Sequence, residues 1–254
     1  MQGDYDKLRK LIDENCPTKS YNTTCPNEIY LASPGGSLVE AMKIGRLVRA
    51  LRWDIQVPSQ APPDVRQKIV AALKLKDPQT NYMCSSACFF ISIAGIERLS
   101  ALDKAFVGIH RPYMSDADLT TLSANQAMAS AAQVRTVVEA YLKEMGVPSK
   151  YADLMFSIPK DQVLWISEKD FQADFAGIIP ELKDWMNAQC DKRTDVEKRL
   201  DDVFDEKIKR GERFTAEDEA MRRMLGQKLK LQVECEVRIK TKLREDAWKT
   251  YRGL

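Results

Sequence analysis

One histidine, His110, stands in a chain of 254 residues. Zinc is held by Cys and His in compact pairs, and the cysteine spacings here do not offer two such pairs, so neither a metal nor another cofactor is expected. GxGxxG is missing, which removes support for a dinucleotide fold, and GxxxxGK[ST] is missing, which removes a P-loop. No apolar run approaches the ~20 residues that span a bilayer, and no leader pattern is read at the start. The formal net charge is only +2, so neither a nucleic-acid nor a membrane footprint appears overall. Repeats and low-complexity tracts are absent as well.

What is present suits a globular chain. A hydrophobic fraction of 44% is ordinary, and the length allows one large domain or one domain with an appendage. Six cysteines fall by position into three pairs, Cys16 with Cys25, Cys84 with Cys88 and Cys190 with Cys235. An even count is compatible with disulfides in an oxidising compartment, and equally with free thiols in a cytosolic protein.

Taken in order, Tyr5, Leu8, Leu11 and Ile12 share one helical face over Asp4–Asn15. A short buried strand is expected over 28–32, ending at Ser33-Pro34-Gly35-Gly36-Ser37, with an amphipathic helix directly behind it. Two adjacent glycines let the backbone come close to a ligand and expose N–H groups, although they also serve as a plain tight turn. A second strand covers Asp54–Val57, and the proline-bounded stretch 58–79 reads as an insertion carrying a short helix. Beyond position 112 come a long Ala- and Leu-rich helix over 115–145, a short helix over 150–158, a turn at Pro159-Lys160-Asp161, a strand over 162–166 and a helix capped by Ser167. Of the 64 residues from 191 to 254, 33 are charged, 18 basic and 15 acidic; mixed signs indicate solvated helices. Thr215 resembles a helix start, and Gly226 is expected to interrupt that helix. The segment 229–243 alternates like a strand yet carries a helical stripe through Leu231, Cys235, Ile239 and Leu243; its length favours helix.

The stretch 81–112 organises the rest. A small-residue knot, Cys84-Ser85-Ser86-Ala87-Cys88, precedes an apolar run to Ala94 and Gly95. Small residues around a serine fit a tight strand-to-helix turn, where a hydroxyl stands proud. The N–H groups and positive end of the helix behind the turn suit a developing oxyanion. A second apolar run delivers His110, 24 residues after Ser86, at a strand end. That separation suffices to return across one helix and lie beside the serine, though a lone histidine is also a common structural residue.

Three segments in this order, Leu31 to Ser37 with its helix, Ser86 to Gly95, and Val107-Gly-Ile-His-Arg-Pro112, resemble the proteolytic subunit of the Clp protease. They resemble more closely a group of exported bacterial proteins of the ClpP/crotonase fold with a Cys-x-Ser-Ala-Cys knot. The likeness covers about 4–180. It implies an α/β fold of stacked βαβ units over 1–190, then a charged C-terminal extension over 191–254 expected to be helical. It implies peptide-bond hydrolysis with Ser86 as nucleophile, His110 as general base, and an oxyanion hole from the backbone N–H groups of Gly36 and Ala87. Position 163, where the Clp subunit has its aspartate, is Val; Asp161, two residues earlier, takes the third role as in the exported group, or is a turn residue. The resemblance further implies a peptide or protein substrate, a homo-oligomer and a periplasmic or secreted location, with the cytoplasm as the alternative.

The family supplies a strand ahead of the helix that begins near Asp4; trimming, a late start and a lost edge strand are the readings open, separable by whether upstream codons encode a leader and a strand. A catalytically silent assembly or binding protein is the alternative function. A crotonase-type acyl-CoA enzyme is a third, disfavoured by the Ser86–His110 pairing. A Cys84–Cys88 disulfide would brace the nucleophile turn.

Overall fold

The computed structural model describes residues 3–16, 21, 25–60, 67, 68, 71, 82–100, 104–112, 123–159 and 161–253. It is a mixed α/β structure that divides into two compact units. Unit 1 comprises Met1–Ile179 with Ala247–Leu254, and unit 2 comprises Pro180–Asp246. The charged segment expected from 191 onward thus falls mostly in unit 2, which also takes in the helix just before it. Most of the expected insertion 58–79 lies outside the described residues, as does 113–122 at the start of the expected long helix.

Unit 1 is built on two small sheets. The first joins β1 (Glu28–Tyr30), β2 (Asp54–Val57), β4 (Glu97–Ser100) and β7 (Gly177–Ile178) in that spatial order. Its first three strands are parallel and β7 is antiparallel. The second sheet has the order β3 (Cys84–Ser85), β5 (Val107–Ile109), β6 (Leu164–Trp165), with β3 and β5 parallel and β6 antiparallel. The chain opens with helix α1 (Asp4–Asn15); parallel neighbours need a crossover, and α2 (Leu38–Ala50) supplies it between β1 and β2. A shorter helix, α3 (Ala87–Ser92), lies between β3 and β4.

The core arises from the apolar spacing of these helices. Ala41, Met42, Gly45 and Val48 form one buried face of α2, and Phe89 and Phe90 are the buried aromatics of α3. Val48 and Phe89 are both 0% exposed, and each contributes roughly 1.5–3 kcal/mol by its burial. Gly45 is required by close packing: a Cβ there would lie 1.8 Å from the Tyr141 hydroxyl. That hydroxyl donates to the Phe90 carbonyl at 2.7 Å, so a buried O–H has its partner. Tyr141 belongs to α4 (Ala124–Glu144), which opens with a full capping box, Ser123 with Gln126. The next helix is α5 (Lys150–Ser157), then α6 (Glu168–Asp174) with the Ser167 cap in place.

Two strands of the first sheet were not legible in the sequence. β4 reads Glu-Arg-Leu-Ser, and Arg98 is nonetheless buried, because its guanidinium donates to the carbonyls of Gly95 at 3.3 Å, Met145 at 3.0 Å and Phe175 at 3.4 Å. Gly177-Ile178 is too short for any period and is a strand only because β4 offers it an edge. β1 also departs from expectation: it is half-buried, with Tyr30 exposed at the sheet edge.

Unit 2 is helical, with α7 (Pro180–Gln189), α8 (Asp195–Lys209) and most of α9 (Ala216–Arg252). The ambiguous segment 229–243 is helix throughout, and Gly226 lies within α9 without interrupting it. Helix starts are well specified. Thr194 and Glu197 form a capping box, and Thr215 and Asp218 exchange the same pair of bonds. Lys228 reaches Glu197 at 2.8 Å and Lys207 reaches Asp218 at 2.8 Å, so cap carboxylates also clasp lysines from the other helix or its neighbour in sequence. Phe204, Leu225 and Met186 are buried, and the Cys190–Cys235 disulfide closes a 45-residue loop. No described helix is long and apolar enough to cross a membrane.

Candidate active site

Ser86 stands between the end of β3 and the start of α3, with φ 59° and ψ −126°. A non-glycine residue in that region costs on the order of 1–3 kcal/mol and persists only where its surroundings over-determine it. Here they do. The Ser86 N–H donates to the Gly108 carbonyl of β5 at 3.1 Å, and the Ser86 carbonyl receives the Phe89 N–H at 3.0 Å. On one side Ser33 pairs with Cys84 as an isolated parallel bridge, the Ser85 N–H reaching the Ser33 carbonyl at 3.1 Å. Cys84 and Cys88 on either side of the serine are joined in a disulfide with Cα atoms 5.2 Å apart. Cys16–Cys25 and Cys190–Cys235 are joined as well, and no described cysteine is free.

The two adjacent serines of the knot have different fates. Ser85 is 5% exposed and its Oγ donates to the Pro34 carbonyl at 3.0 Å. Ser86 is half-buried and its Oγ makes no capping bond to α3. Only the second hydroxyl is therefore available for chemistry among the described hydrogen bonds. The glycine turn lies directly against it. A Cβ on Gly35 would be 2.4 Å from the Ser86 Cβ and 2.8 Å from its Oγ, so Gly35 must lack a side chain. Both glycines have positive φ, 116° at Gly35 and 146° at Gly36. The Gly35 N–H is taken up by the Ser33 Oγ at 3.2 Å. No described hydrogen bond takes up that of Gly36, and Ala87 opens α3, where first-turn N–H groups have no intrahelical partner. The close approach at Gly35 was not foreseen; adjacent glycines beside a small-residue knot were its only signal in the sequence.

His110 comes directly after β5. The register sets Cys84 beside Val107 and Ser85 beside Gly108 in parallel, so Ser86 and His110 stand at the same end of neighbouring strands. β6 runs back along β5 with Ile109 beside Leu164, which brings Asp161 to that end too. The three residues singled out from the sequence thus lie at the same end of the strands of the second sheet, and no described hydrogen bond joins the Ser86 hydroxyl to the His110 ring. Their side chains are not equally engaged. Asp161 is exposed in the turn before β6, where the Gln162 N–H closes on the Pro159 carbonyl at 3.1 Å, and no described hydrogen bond joins its carboxylate to His110. The His110 ring instead has Nδ1 2.8 Å from the main-chain carbonyl of Arg111.

This end of the sheet offers a hydroxyl on a forced turn, an imidazole on the adjoining strand and backbone N–H groups without a described partner, the parts needed for nucleophilic attack on an acyl group. Among the described residues no group of three His, Cys, Asp or Glu is disposed to hold a metal ion. No family model and no curated protein matches this chain.

Proposed function

We propose that the chain is a serine hydrolase of ClpP/crotonase type, cleaving peptide bonds through an acyl-enzyme on Ser86. The observation that carries this reading is the conformation of Ser86, a non-glycine residue at φ 59° on a strand-to-helix turn, with the lone histidine at the end of the adjoining parallel strand. In this reading His110 takes the Ser86 proton as the hydroxyl attacks the carbonyl, and the tetrahedral oxyanion is held by the N–H groups of Gly36 and Ala87. His110 then returns the proton to the leaving amine, and water repeats the cycle on the ester. The substrate is a peptide or protein segment, and the family likeness adds homo-oligomeric assembly. Three disulfides that use all six cysteines support an oxidising, exported setting such as the periplasm.

A catalytically silent assembly or binding role is the second reading, favoured by the exposed Asp161 with no described bond to His110. The two are separated by a fluorophosphonate probe on the oxidised protein. Covalent labelling that disappears in Ser86→Ala and His110→Ala is the expected result. A folded chain that resists the probe would leave the silent role.

A further inference from the structure

We infer that the group orienting His110 is the main-chain carbonyl of Arg111, held in place by the Arg111 side chain, and that Asp161 has no part in the reaction. This rests on the hydrolase reading and departs from the aspartate expected by resemblance. A carbonyl oxygen can only accept, so the 2.8 Å contact between it and Nδ1 requires the proton to be on Nδ1. That tautomer leaves Nε2 unprotonated, which is the form a general base needs. The orienting carboxylate of a triad does the same work, selecting the tautomer and fixing the ring.

The carbonyl is itself anchored. The Arg111 guanidinium donates to the Phe156 carbonyl through both Nε, at 3.0 Å, and Nη2. Phe156 is the penultimate residue of α5, and the last carbonyls of a helix lack an intrahelical donor, so a cation there satisfies them and meets the negative end of the dipole. Arg111 is thereby tied to a helix end, which restrains the residue whose carbonyl the His110 ring leans on. Pro112 comes next, which biases Arg111 towards extended backbone. Arg111 is a positioning residue, acting through His110.

Because the chain has one histidine, nitrogen-15 NMR of histidine-labelled wild-type protein reads this single ring. At about pH 9 the proton is expected on Nδ1 and Nε2 is expected bare. In parallel, fluorophosphonate labelling of Asp161→Asn should stay within about twofold of wild type. Arg111→Ala should fall about tenfold and Arg111→Lys should recover part of that, with the Nδ1 tautomer loosening in step. A proton on Nε2, or loss of labelling by orders of magnitude in Asp161→Asn, would overturn the inference and return the role to Asp161. Should wild type resist the probe while Nδ1 carries the proton, the hydrolase reading falls and the Arg111 assignment of the ring stands.

Discussion

Unit 1 buries Val48, Ile55, Phe89 and Tyr141 completely, whereas unit 2 leaves Val196, Leu231 and Val237 more than half exposed and relies on caps, lysine–carboxylate clasps and a long-loop disulfide. The difference shows what each kind of structure can hold. A close-packed interior transmits displacement and can keep a residue such as Ser86 in a costly conformation. Partly exposed ion pairs contribute less each than a close-packed interior; the positive-φ residue of unit 2 among those described is Gly211, just past the end of α8.

The sharpest way to break this comparison is to crowd the turn. Gly35→Ala would drive a methyl group into Ser86, and a displacement of about 1 Å at a nucleophile lowers turnover about 100-fold. The check is the rate of probe labelling beside a circular-dichroism melt. Unchanged labelling would mean that the turn is not enclosed as tightly as its packing requires.

A second test compares the disulfides. On the chain-entropy account, replacing Cys190 and Cys235 by Ser, which opens a 45-residue loop, should cost about 4 kcal/mol. Replacing Cys84 and Cys88, only four residues apart, should cost about 2 kcal/mol. Urea unfolding of the two double variants measures both, and equal losses would erase the contrast. The smaller thermodynamic effect should carry the larger functional one, since the short disulfide brackets Ser86 and the long one lies in unit 2.

The smallest expected effect concerns pH. Lys228, hydrogen-bonded to the Glu197 carboxylate, and after it the Thr194 N–H, hold that group down from 4.5 to about 2. A depressed folded value stabilises above the unfolded carboxylate range and is lost as pH falls through it towards about 2. The Glu197–Lys228 pair is partly exposed, so the change in melting temperature between pH 6 and pH 2 is modest. Glu197→Gln should remove that part of the acid slope; an identical slope in the variant would show that the clasp does not hold in solution.

Much of the frame of unit 1 was legible because its signals are local. Asp4–Asn15, Leu38–Ala50 and the helix behind Ser167 announce themselves by apolar spacing and cap residues, and β2 by its short apolar run between breakers. β4 and β7 were not legible, because one carries a buried arginine whose carbonyl partners come from distant segments and the other is two residues long. The segment 229–243 satisfied two periods at once, and the decision fell to helix once the Thr215–Asp218 start and the Cys235 link to Cys190 are counted. Gly226 shows the limit of punctuation: a mid-helix glycine costs about 1 kcal/mol, which a helix of 37 residues absorbs.

At the site, the candidate residues came from the sequence by itself: one histidine, one small-residue knot around a serine, one Gly-Gly turn, and an order along the chain that allows them to come to one end of a sheet. The resemblance had already pointed to Ser86; what tertiary structure added is that the Ser85 hydroxyl is committed to the Pro34 carbonyl and that Gly35 is the point of closest approach to Ser86. Tertiary structure alone set the His110 ring against the carbonyl of Arg111 while Asp161 stays exposed. The reason is physical: residue type limits which group can donate, accept or attack, but which of two neighbouring groups is free to do so depends on hydrogen bonds from parts of the chain far away in sequence.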